Sequence, residues 1–380
     1  MKIVYCIPST YNSGGMERIL SLKTSYLADK LGHDVTVVTT EQNGRPSFFP
    51  FSKKVKFIDL AINYRQYSSN KFKEIVSYPI LQYKHKRKLK KLLADLKPEV
   101  TVSMFQEEAG FLPKIKDGSK KLIESHFSKN YRHQFHNKGL KKILNDYKAF
   151  KDDYLIRRYD KFITLTHEDK EDWKYKDNIE VIPNPVTLSS LDTIKYREPV
   201  SDFKNILVVG RFHFQKGFDK LIEIWKRIEP KYPEWTLTII GNQDNKGYVK
   251  YIKDLIERYN LKNIILKEPS EDISKEYDNS TFLALTSNYE GMPLTLIEGM
   301  SRGLPLISFA CKCGPRDIIK DSFNGFLIPP GNINLFAKKM ELLIKNPELL
   351  NSMSENALNE SKKYNVEKIM TQWNDTFKDI

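Results

Sequence analysis

Short apolar runs rich in β-branched residues alternate with helical patterns along most of the chain, and this alternation restricts the possible folds more than any other feature. In the first half the runs are KIVYCI, DVTVVTT, VKFIDL, EVTVSMF, KLIESH and KFITLT. After residue 200 come NILVVG, WTLTIIG, IILK, FLALTS and LPLISF, separated by helical stretches such as FDKLIEIWKRI and YVKYIKDLIERY. Apolar strands that alternate with helices are typical of a parallel sheet covered on both faces. The sequence therefore predicts an α/β protein with two doubly wound domains.

A length of 380 residues also suits two domains better than one. The stretch 181–203 contains both prolines of IPNP, which favour extended backbone and exclude a helix, so we expect the linker there. We place the N-terminal domain at residues 1–185 and the C-terminal domain at residues 186–364. Ligands of such sheets bind beyond the carboxyl ends of the strands. The loops that follow the strands are therefore the candidate sites.

Two of these loops combine glycine with groups that suit an anion. In STYNSGGMERIL, Gly14 and Gly15 lie between the first strand and the first helix, where a glycine-rich turn lets backbone N–H groups approach an anion. In VVGRFHFQKGFDKL, Arg211 follows a strand and Lys216 precedes a glycine and a helix. Arginine by forked hydrogen bonds and lysine as a point charge can together hold a diphosphate. Either loop alone would also fit an ordinary tight turn with solvated charges.

The stretch SNYEGMPLTLIEGMSRG places two carboxylates, Glu290 and Glu298, eight positions apart around a predicted helix start. Pro293 suits the first helical position, because its missing N–H would have no partner there anyway. Glu290 could contact a sugar hydroxyl, and Glu298 could accept hydrogen bonds from a ribose. Backbone N–H groups for an anion are expected at Gly291, Met292, Leu294 and Thr295. A simpler interpretation, in which Glu290 caps the helix and Glu298 is exposed, fits this loop but not all three loops together.

The motifs GRFHFQKG, EGMPLTLIE, NSGGMER and IPNPV resemble those of a retaining glycosyltransferase of family 4 with the GT-B fold. The resemblance covers essentially the whole chain, and the E-x7-E pattern with an Arg/Lys pair upstream is specific. It implies two Rossmann-like domains facing across a cleft, with a C-terminal helix, about residues 365–380, returning to the N-terminal domain. It also implies a nucleotide-sugar donor held by the C-terminal domain, with neither a metal ion nor a cofactor.

The resemblance also implies roles for particular residues. Arg211 and Lys216 would bind the donor phosphates and stabilise the leaving diphosphate. Glu290 would contact hydroxyls of the transferred sugar, and His126, at the end of KLIESH, would lie near the sugar ring. The implied donor-binding positions are Gly14, Gly15, Gly210, Gly241, Asn242, Gly291, Met292, Pro293, Leu294, Thr295 and Glu298. In the family the leaving phosphate is thought to deprotonate the acceptor, so no side chain is assigned as a general base.

Two stretches leave alternatives open. IIGNQDNKGY contains Gly241 and Asn242 but lacks the second glycine that often follows in the family. Recognition of the base therefore stays open, with uridine preferred over guanosine. In SMFQEEAG, Glu107 and Glu108 follow a strand of the N-terminal domain, where they could bind the acceptor. A solvated acidic loop explains these two residues equally well.

Positive charge is concentrated in the N-terminal domain. Residues 1–185 hold 35 Lys and Arg against 22 Asp and Glu, a net charge of +13, whereas the remainder carries +1. The run YKHKRKLKKLLADLK has leucines at helical spacing, which predicts an amphipathic helix with a cationic face. We expect this domain to meet an anionic membrane surface. The resemblance implies that it binds a lipid-linked or glycan acceptor there. Nucleic acid is the less favoured partner, because the run has few aromatic residues and no nucleic-acid motif occurs.

The remaining features favour a cytoplasmic protein. MKIVYCIP predicts a first strand and not a signal peptide, and no run approaches the roughly 18 apolar residues of a membrane span. Cys6, Cys311 and Cys313 are too few for a disulfide framework or a zinc site. We expect an enzyme peripheral to the inner face of the cell membrane that transfers a hexose or N-acetylhexosamine from a UDP-linked donor, in surface polysaccharide or glycolipid assembly. The alternatives are the same chemistry on a soluble acceptor, such as a sugar phosphate or glucan, and a non-enzymatic nucleic-acid-binding protein.

Overall fold

The computed structural model describes residues 1–67, 70–129, 131, 139–188, 203–269 and 272–380. The chain forms two compact units, Met1–Pro185 with Val366–Ile380 as the first and Val186–Asn365 as the second. Most of the predicted linker, residues 189–202, lies outside the described residues.

The first unit is built on a seven-stranded parallel sheet in the order β3-β2-β1-β4-β5-β6-β7. Its strands are β1 Lys2–Ile7, β2 Asp34–Thr39, β3 Lys56–Asp59, β4 Val100–Ser103, β5 Lys120–Glu124, β6 Lys161–Thr164 and β7 Ile179–Val181. Ile3 of β1 pairs with Val35 on one side and Val100 on the other, and all three side chains are buried. Six of these strands follow the predicted apolar runs, whereas β7 is too short to stand out in the sequence.

Helices pack against both faces of this sheet. They are α1 Gly15–Asp29, α2 Lys71–Leu96, α3 Leu140–Ile156, α4 His167–Asp172 and, from the end of the chain, α12 Val366–Lys378. The α12 helix buries Ile369, Met370, Trp373 and Phe377 in the core around β1. Burial of one large apolar side chain contributes about 1.5–3 kcal/mol. Four such residues explain why the C-terminal helix packs on the first unit, as predicted.

The long helix α2 contains the basic run in its C-terminal half. Leu89 and Leu93 are fully buried there, which confirms the predicted apolar stripe. The helix begins much earlier than the sequence indicated, after Asn70, whose side chain caps the N–H of Lys73. It also continues through Pro79, although an interior proline removes one helical hydrogen bond.

The second unit has a six-stranded parallel sheet in the order β10-β9-β8-β11-β12-β13. Its strands are β8 Asn205–Val209, β9 Thr236–Ile240, β10 Ile264–Lys267, β11 Phe282–Leu285, β12 Leu306–Phe309 and β13 Gly325–Ile328. Its helices are α5 Phe218–Ile228, α6 Lys246–Arg258, α7 Ile273–Asp278, α8 Leu294–Ser301, α9 Pro315–Ile318, α10 Ile333–Lys345 and α11 Pro347–Ser361. Both units therefore have the doubly wound arrangement that the strand and helix alternation predicted. In the second unit, β8 and β11 are neighbours, so the loops after these two strands meet at one edge of the sheet.

Candidate active site

The loop after β8 is a tight turn that fixes the position of Lys216. A short 3₁₀ turn spans Phe214–Lys216 and ends at Gly217, which has a φ of 61°. A Cβ at Gly217 would also overlap the carbonyl oxygen of Thr286. Glycine is therefore required at this position both for its backbone conformation and for the close approach of the loop after β11.

The loops after β8 and β11 are joined by several hydrogen bonds. The N–H of Asn288 donates to the carbonyl oxygen of Gln215 at 2.7 Å, and the Gln215 amide donates to the carbonyl of Tyr289 at 3.1 Å. The Thr286 hydroxyl donates to the carbonyl of Lys216 at 3.0 Å. These bonds hold the two predicted loops together as one rigid site, although the partners lie some 70 residues apart in the sequence.

Lys216 and Glu290 form an ion pair at the centre of this site. The Nζ atom of Lys216 lies 2.6 Å from Oε1 of Glu290, and the Ser287 hydroxyl donates to the same oxygen at 2.6 Å. The exposed fractions are 15% for the Lys216 side chain and 7% for that of Glu290. Glu290 therefore does not simply cap the helix, because its carboxylate orients the lysine.

Arg211 lies in the same loop and is exposed. Burial and the positive charges of Arg211 and Lys216 lower the pKa of His213, which lies between them in the sequence. Burial is the larger cause of this lowered pKa, and the two cations add to it. Two cations in one loop suit a bound anion.

The helix α8 starts beside the ion pair. It begins at Leu294, with Pro293 in the preceding N-cap position, so the predicted placement of Pro293 as the first helical residue is wrong by one position. The first N–H groups of a helix have no partner within the helix, and they carry its positive dipole end. The Oγ1 atom of Thr295 is buried in the first turn and has no hydrogen-bond partner among the described residues. This helix start therefore offers both backbone and hydroxyl donors to a ligand.

Glycines allow close packing around both loops. A Cβ at Gly241 would overlap the carbonyl oxygen of Gly210, and a Cβ at Gly314 would overlap the ring of Pro293. The backbone carbonyl of Asn242 accepts a hydrogen bond from the N–H of Phe212 at 2.9 Å. In the structure, Gly241 and Asn242 therefore support the loop that carries Arg211, and their contact with a base stays a prediction.

Glu298 is buried, which excludes the interpretation of this residue as an exposed surface carboxylate. Its Oε2 atom accepts a hydrogen bond from the Tyr277 hydroxyl at 2.8 Å, and its Oε1 atom accepts one from the hydroxyl of Thr187. The predicted contact with a ribose would add to these two bonds.

In the first unit, the glycine turn before α1 is lined by a carboxylate. Gly14 is the N-cap residue, and a Cβ there would overlap Oε2 of Glu17. Glu17 is buried, and its other oxygen lies 3.3 Å from the Asn12 amide. The Glu17 carboxylate would repel a diphosphate at Gly14 and Gly15. A diphosphate could therefore approach these glycines only if the carboxylate moved away or if a hydrogen-bond donor lay between the two anionic groups.

His126 follows β5 and lies in a buried charge network. Its Nε2 atom is 2.9 Å from Oε1 of Glu124, and Nζ of Lys23 is 2.6 Å from the same carboxylate oxygen. Although burial raises the pKa of Glu124, Lys23 and His126 lower it to about 2. The Lys23 ammonium also lies 3.7 Å from the centre of the Trp373 ring of α12. The Nε2 atom of His126 therefore lies within ion-pair distance of a buried carboxylate.

The two acidic residues after β4 occupy different environments. Glu107 lines a pocket, whereas Glu108 is buried and accepts a hydrogen bond from Ser103 at 2.6 Å. Burial raises the pKa of Glu108 to about 7. The structure therefore does not support the predicted acceptor contact for Glu108, because its carboxylate is turned into the interior. It also excludes a solvated acidic loop as the explanation for both residues.

Comparisons with known proteins fit this geometry. A family model described as Glycosyltransferase Family 4 matches residues 13–190, and one described as Glycosyl transferases group 1 matches residues 192–360. An uncharacterized glycosyltransferase of Haemophilus influenzae is 31% identical over 98% of both chains. The chain belongs to glycosyltransferase family 4.

One further relative of this glycosyltransferase and one solved structure of similar fold are informative. The lipopolysaccharide 1,6-galactosyltransferase of Salmonella typhimurium is 35% identical over 44% of this chain and 46% of its own. Staphylococcus aureus TarM, solved with fondaparinux, α-GlcNAc-glycerol and UDP, aligns with a TM-score of 0.76 and 18% identity over 99% of both chains. The fold of the glycosyltransferase is thus GT-B, as its motifs indicated.

Sequence reasoning missed several residues that shape the site of the glycosyltransferase. Ser287 could have been found from the sequence, since it precedes Glu290 by only three positions. No such local pattern identifies Lys23, Glu124 and Tyr277, because their partners are distant in the sequence.

Proposed function

We propose that this glycosyltransferase is a retaining, metal-independent enzyme that transfers a hexose or N-acetylhexosamine from a UDP-linked sugar. The acceptor in this proposal is lipid-linked or a glycan, and the process is surface polysaccharide or glycolipid assembly. The observation that carries the proposal is the Lys216–Glu290 pair, fixed at the start of α8 beside Arg211. The lipopolysaccharide galactosyltransferase among the relatives and the UDP bound to TarM support the acceptor class and the nucleotide.

The chemistry follows from where negative charge develops. When the bond between the sugar and the nucleoside diphosphate breaks, charge accumulates on the leaving phosphate oxygens. Lys216, held by Glu290, and the first N–H groups of α8 are positive groups that are already in place, and Arg211 follows β8 in the same loop as Lys216, so little reorganisation is needed during the reaction. Loss of one such donor typically lowers kcat by about 10²–10³-fold. These fixed positive groups supply the charge stabilisation that a metal ion provides in other phosphate-transfer sites.

Glu290 takes a positioning role in this proposal. Its carboxylate already accepts bonds from Lys216 and Ser287, which makes it a poor nucleophile. It holds the lysine towards the leaving group, and its second oxygen contacts hydroxyls of the transferred sugar. The leaving phosphate then accepts the proton of the attacking acceptor hydroxyl on the same face, which retains the anomeric configuration.

The proposal is tested by product analysis in the presence of EDTA. The purified protein is supplied with UDP-glucose, UDP-galactose and UDP-N-acetylglucosamine and with octyl glycosides as acceptors, and the product anomer is read by NMR. An α-linked product from an α-linked donor, formed at an unchanged rate in EDTA, is expected. An inverted product, or activity that needs added divalent metal, would contradict the proposal.

The exposed surface of the first unit supports contact with a membrane. The α2 helix exposes apolar side chains beyond its basic run, with Phe72 at 77%, Ile75 at 72% and Ile80 at 67% exposure. The α3 helix exposes Ile143 and Leu144 in the same way. Exposed cations on the same two helices are Lys73, Lys84, Arg87, Lys88, Lys90, Lys91, Lys142, Lys148 and Lys151. Apolar side chains flanked by cations fit an anionic bilayer surface better than a merely solvated face.

None of the helices among the described residues is both long and apolar enough to cross a membrane. We propose attachment to the inner face of the cell membrane through α2 and α3. Sedimentation with vesicles rich in anionic lipid tests this, with Ile75→Glu expected to weaken binding and Leu342→Glu, on α10 of the second unit, expected to leave it unchanged. Equal binding of all three proteins, or stronger binding to a random oligonucleotide than to the vesicles, would contradict membrane attachment.

A further inference from the structure

Glu298 on α8 is a buried carboxylate that is bonded to hydroxyl groups from two other parts of the second unit. Its helix is apolar around it, since Leu296, Ile297 and Met300 are fully buried. Removal of a carboxylate from water costs free energy unless hydrogen-bond donors replace the lost water. The hydroxyls that reach Glu298 replace part of that water.

The first of these hydroxyls belongs to Tyr277, near the end of α7. It donates to Oε2 of Glu298 at 2.8 Å, and the tyrosine side chain is fully buried. The turn after α7 is fixed as well. The N–H of Ser280 donates to the carbonyl of Tyr277 at 3.3 Å, and the Ser280 hydroxyl accepts a hydrogen bond from the amide of Asn205 at 2.9 Å. Since the ring is buried and its turn is anchored, the Tyr277 hydroxyl fixes the direction of one carboxylate oxygen.

The second hydroxyl belongs to Thr187, in the segment where the chain enters the second unit. It donates to Oε1 of Glu298, which lies 111 residues further along the sequence. The neighbouring residue Val186 is buried, and its N–H donates to the carbonyl of Tyr364 at 2.8 Å. Thr187 is therefore anchored through Val186. One hydroxyl donor on each oxygen defines the plane of the Glu298 carboxylate.

The two carboxylates of the site are held in different ways. Glu290 faces the ammonium group of Lys216 at 2.6 Å, whereas Tyr277 and Thr187 hold Glu298 through neutral hydroxyls. Neutral donors orient a carboxylate without neutralising its charge, and each of its oxygens can accept more than one hydrogen bond. Hydrogen bonds to a charged acceptor are about twice as strong as those between neutral groups. The arrangement at Glu298 therefore suits recognition of a ligand hydroxyl.

We propose that Tyr277 and Thr187 are positioning residues that make the nucleotide site selective for ribose over deoxyribose. They fix the Glu298 carboxylate so that it accepts hydrogen bonds from the 2′- and 3′-hydroxyls of the nucleotide. A site built to bind a hydroxyl rejects an analogue that lacks it, because a buried acceptor then loses its partner. The inference rests on the proposed function, since a nucleoside diphosphate has to bind the second unit, and on the predicted contact between Glu298 and a ribose. Neither positioning residue touches the reacting atoms, so both act on binding and not on the chemical step.

Nucleotide affinities measured with and without each ribose hydroxyl test the inference. The probes are UDP, 2′-deoxy-UDP and 3′-deoxy-UDP, titrated into the full chain by calorimetry. The wild type should bind UDP roughly 10-fold or more tightly than either deoxy form, the effect of losing a hydrogen bond to a charged group. Tyr277→Phe and Thr187→Val each remove one hydroxyl and keep the shape of the side chain. In both variants the preference for UDP should fall by roughly 3-fold or more, because the carboxylate has lost a fixed donor.

The controls keep the chemical change and alter its place, or keep the place and restore the hydroxyl. Tyr259→Phe removes another hydrogen bond between a tyrosine and a glutamate of the second unit, the one from Tyr259, directly after α6, to Glu223 of α5. Thr187→Ser keeps a hydroxyl at the linker position. Both controls should retain the wild-type preference for UDP. Affinity for the two deoxy forms should be nearly unchanged in Tyr277→Phe and Thr187→Val, which also shows that these variants are folded.

Two further readouts separate positioning from a general structural role. With a UDP-sugar as donor, Tyr277→Phe and Thr187→Val should raise KM and leave kcat unchanged, because the ribose contact is the same in the ground state and the transition state. In a Glu298→Ala background, Tyr277→Phe should have no further effect on the preference for UDP, because it acts through that carboxylate.

The possible failures are distinguishable. Equal wild-type affinity for UDP and both deoxy forms, or a preference for UDP that both hydroxyl-deletion variants retain, would overturn the inference and leave the proposed donor chemistry standing. A loss of affinity for all three nucleotides in equal proportion would show a structural role for the two hydroxyls and would overturn it as well. If UDP does not bind the wild type, the inference and the proposed donor chemistry fail together.

Discussion

The Lys216–Glu290 pair allows the catalytic and structural roles of one charge to be separated. Replacing Lys216 by Met keeps most of the side-chain volume but leaves the Glu290 carboxylate, 7% exposed, with the Ser287 hydroxyl as its side-chain donor. Breaking one partner of a buried pair costs about 3–5 kcal/mol, and the partial exposure of Lys216 favours the lower value. We therefore expect Lys216→Met to lower the free energy of unfolding by about 3 kcal/mol. For a unit of this size that corresponds to roughly 6–12 °C in Tm.

The double variant Lys216→Met with Glu290→Gln distinguishes the two roles. The neutral amide that replaces the Glu290 carboxylate no longer needs a cation and can still accept the Ser287 hydrogen bond. The double variant should therefore recover to within about 1 kcal/mol of the wild type, about 2 kcal/mol more stable than Lys216→Met, and the single variant Glu290→Gln completes the double-mutant cycle. Its kcat should stay about 10²–10³-fold below the wild type, because the cation at the leaving phosphate is still missing. Thermal unfolding and UDP release are the two assays. Additive losses of stability, or recovery of activity in the double variant, would refute this reasoning.

Three further predictions concern close packing and buried side chains in the two units. Gly241→Ala introduces a Cβ that overlaps the carbonyl of Gly210, so it should cost about 1–3 kcal/mol in thermal unfolding and weaken UDP binding in calorimetry. Burial lowers the pKa of His85 to about 4, so the stability that neutral His85 contributes above pH 6.5 should be lost as the pH falls to 4, by up to about 3 kcal/mol. Urea unfolding at pH 7 and pH 5 should show this loss in the wild type and a smaller one in His85→Gln. Trp373→Ala removes a fully buried ring of α12 and should cost about 3–5 kcal/mol, and limited proteolysis should then cleave α12 first; unchanged protection would contradict this.

The sequence predicted the elements whose signal is local. The β8 and β11 strands are apolar runs followed by glycine or polar residues, and their neighbouring parallel positions bring their loops together at one sheet edge. Arg211, Lys216 and Glu290 could therefore be predicted as one cluster from chain order and sheet topology. The start of α8 was misplaced by one residue, because a proline fits both the N-cap position and the first helical position.

The missed features depend on contacts between distant residues. The N-terminal half of α2 was not predicted as a helix, and the helix continues through Pro79, a residue that normally ends one. The roles of Glu107 and Glu108 could not be separated, since adjacent residues in a loop point in directions that only the backbone conformation sets. Phe105, two residues before Glu107, has a positive φ that gives no signal in the sequence.

The central claim is that fixed positive groups of the second unit hold a nucleoside diphosphate without a metal ion. The most direct measurement is calorimetric titration of UDP, GDP and ADP into the wild type and into Arg211→Ala in buffer with EDTA. We expect saturable binding of UDP to the wild type. Binding to Arg211→Ala should be at least roughly 10-fold weaker, because a charged hydrogen-bond donor to phosphate is lost. Absence of binding of all three nucleotides, or equal UDP affinity in both proteins, would contradict it.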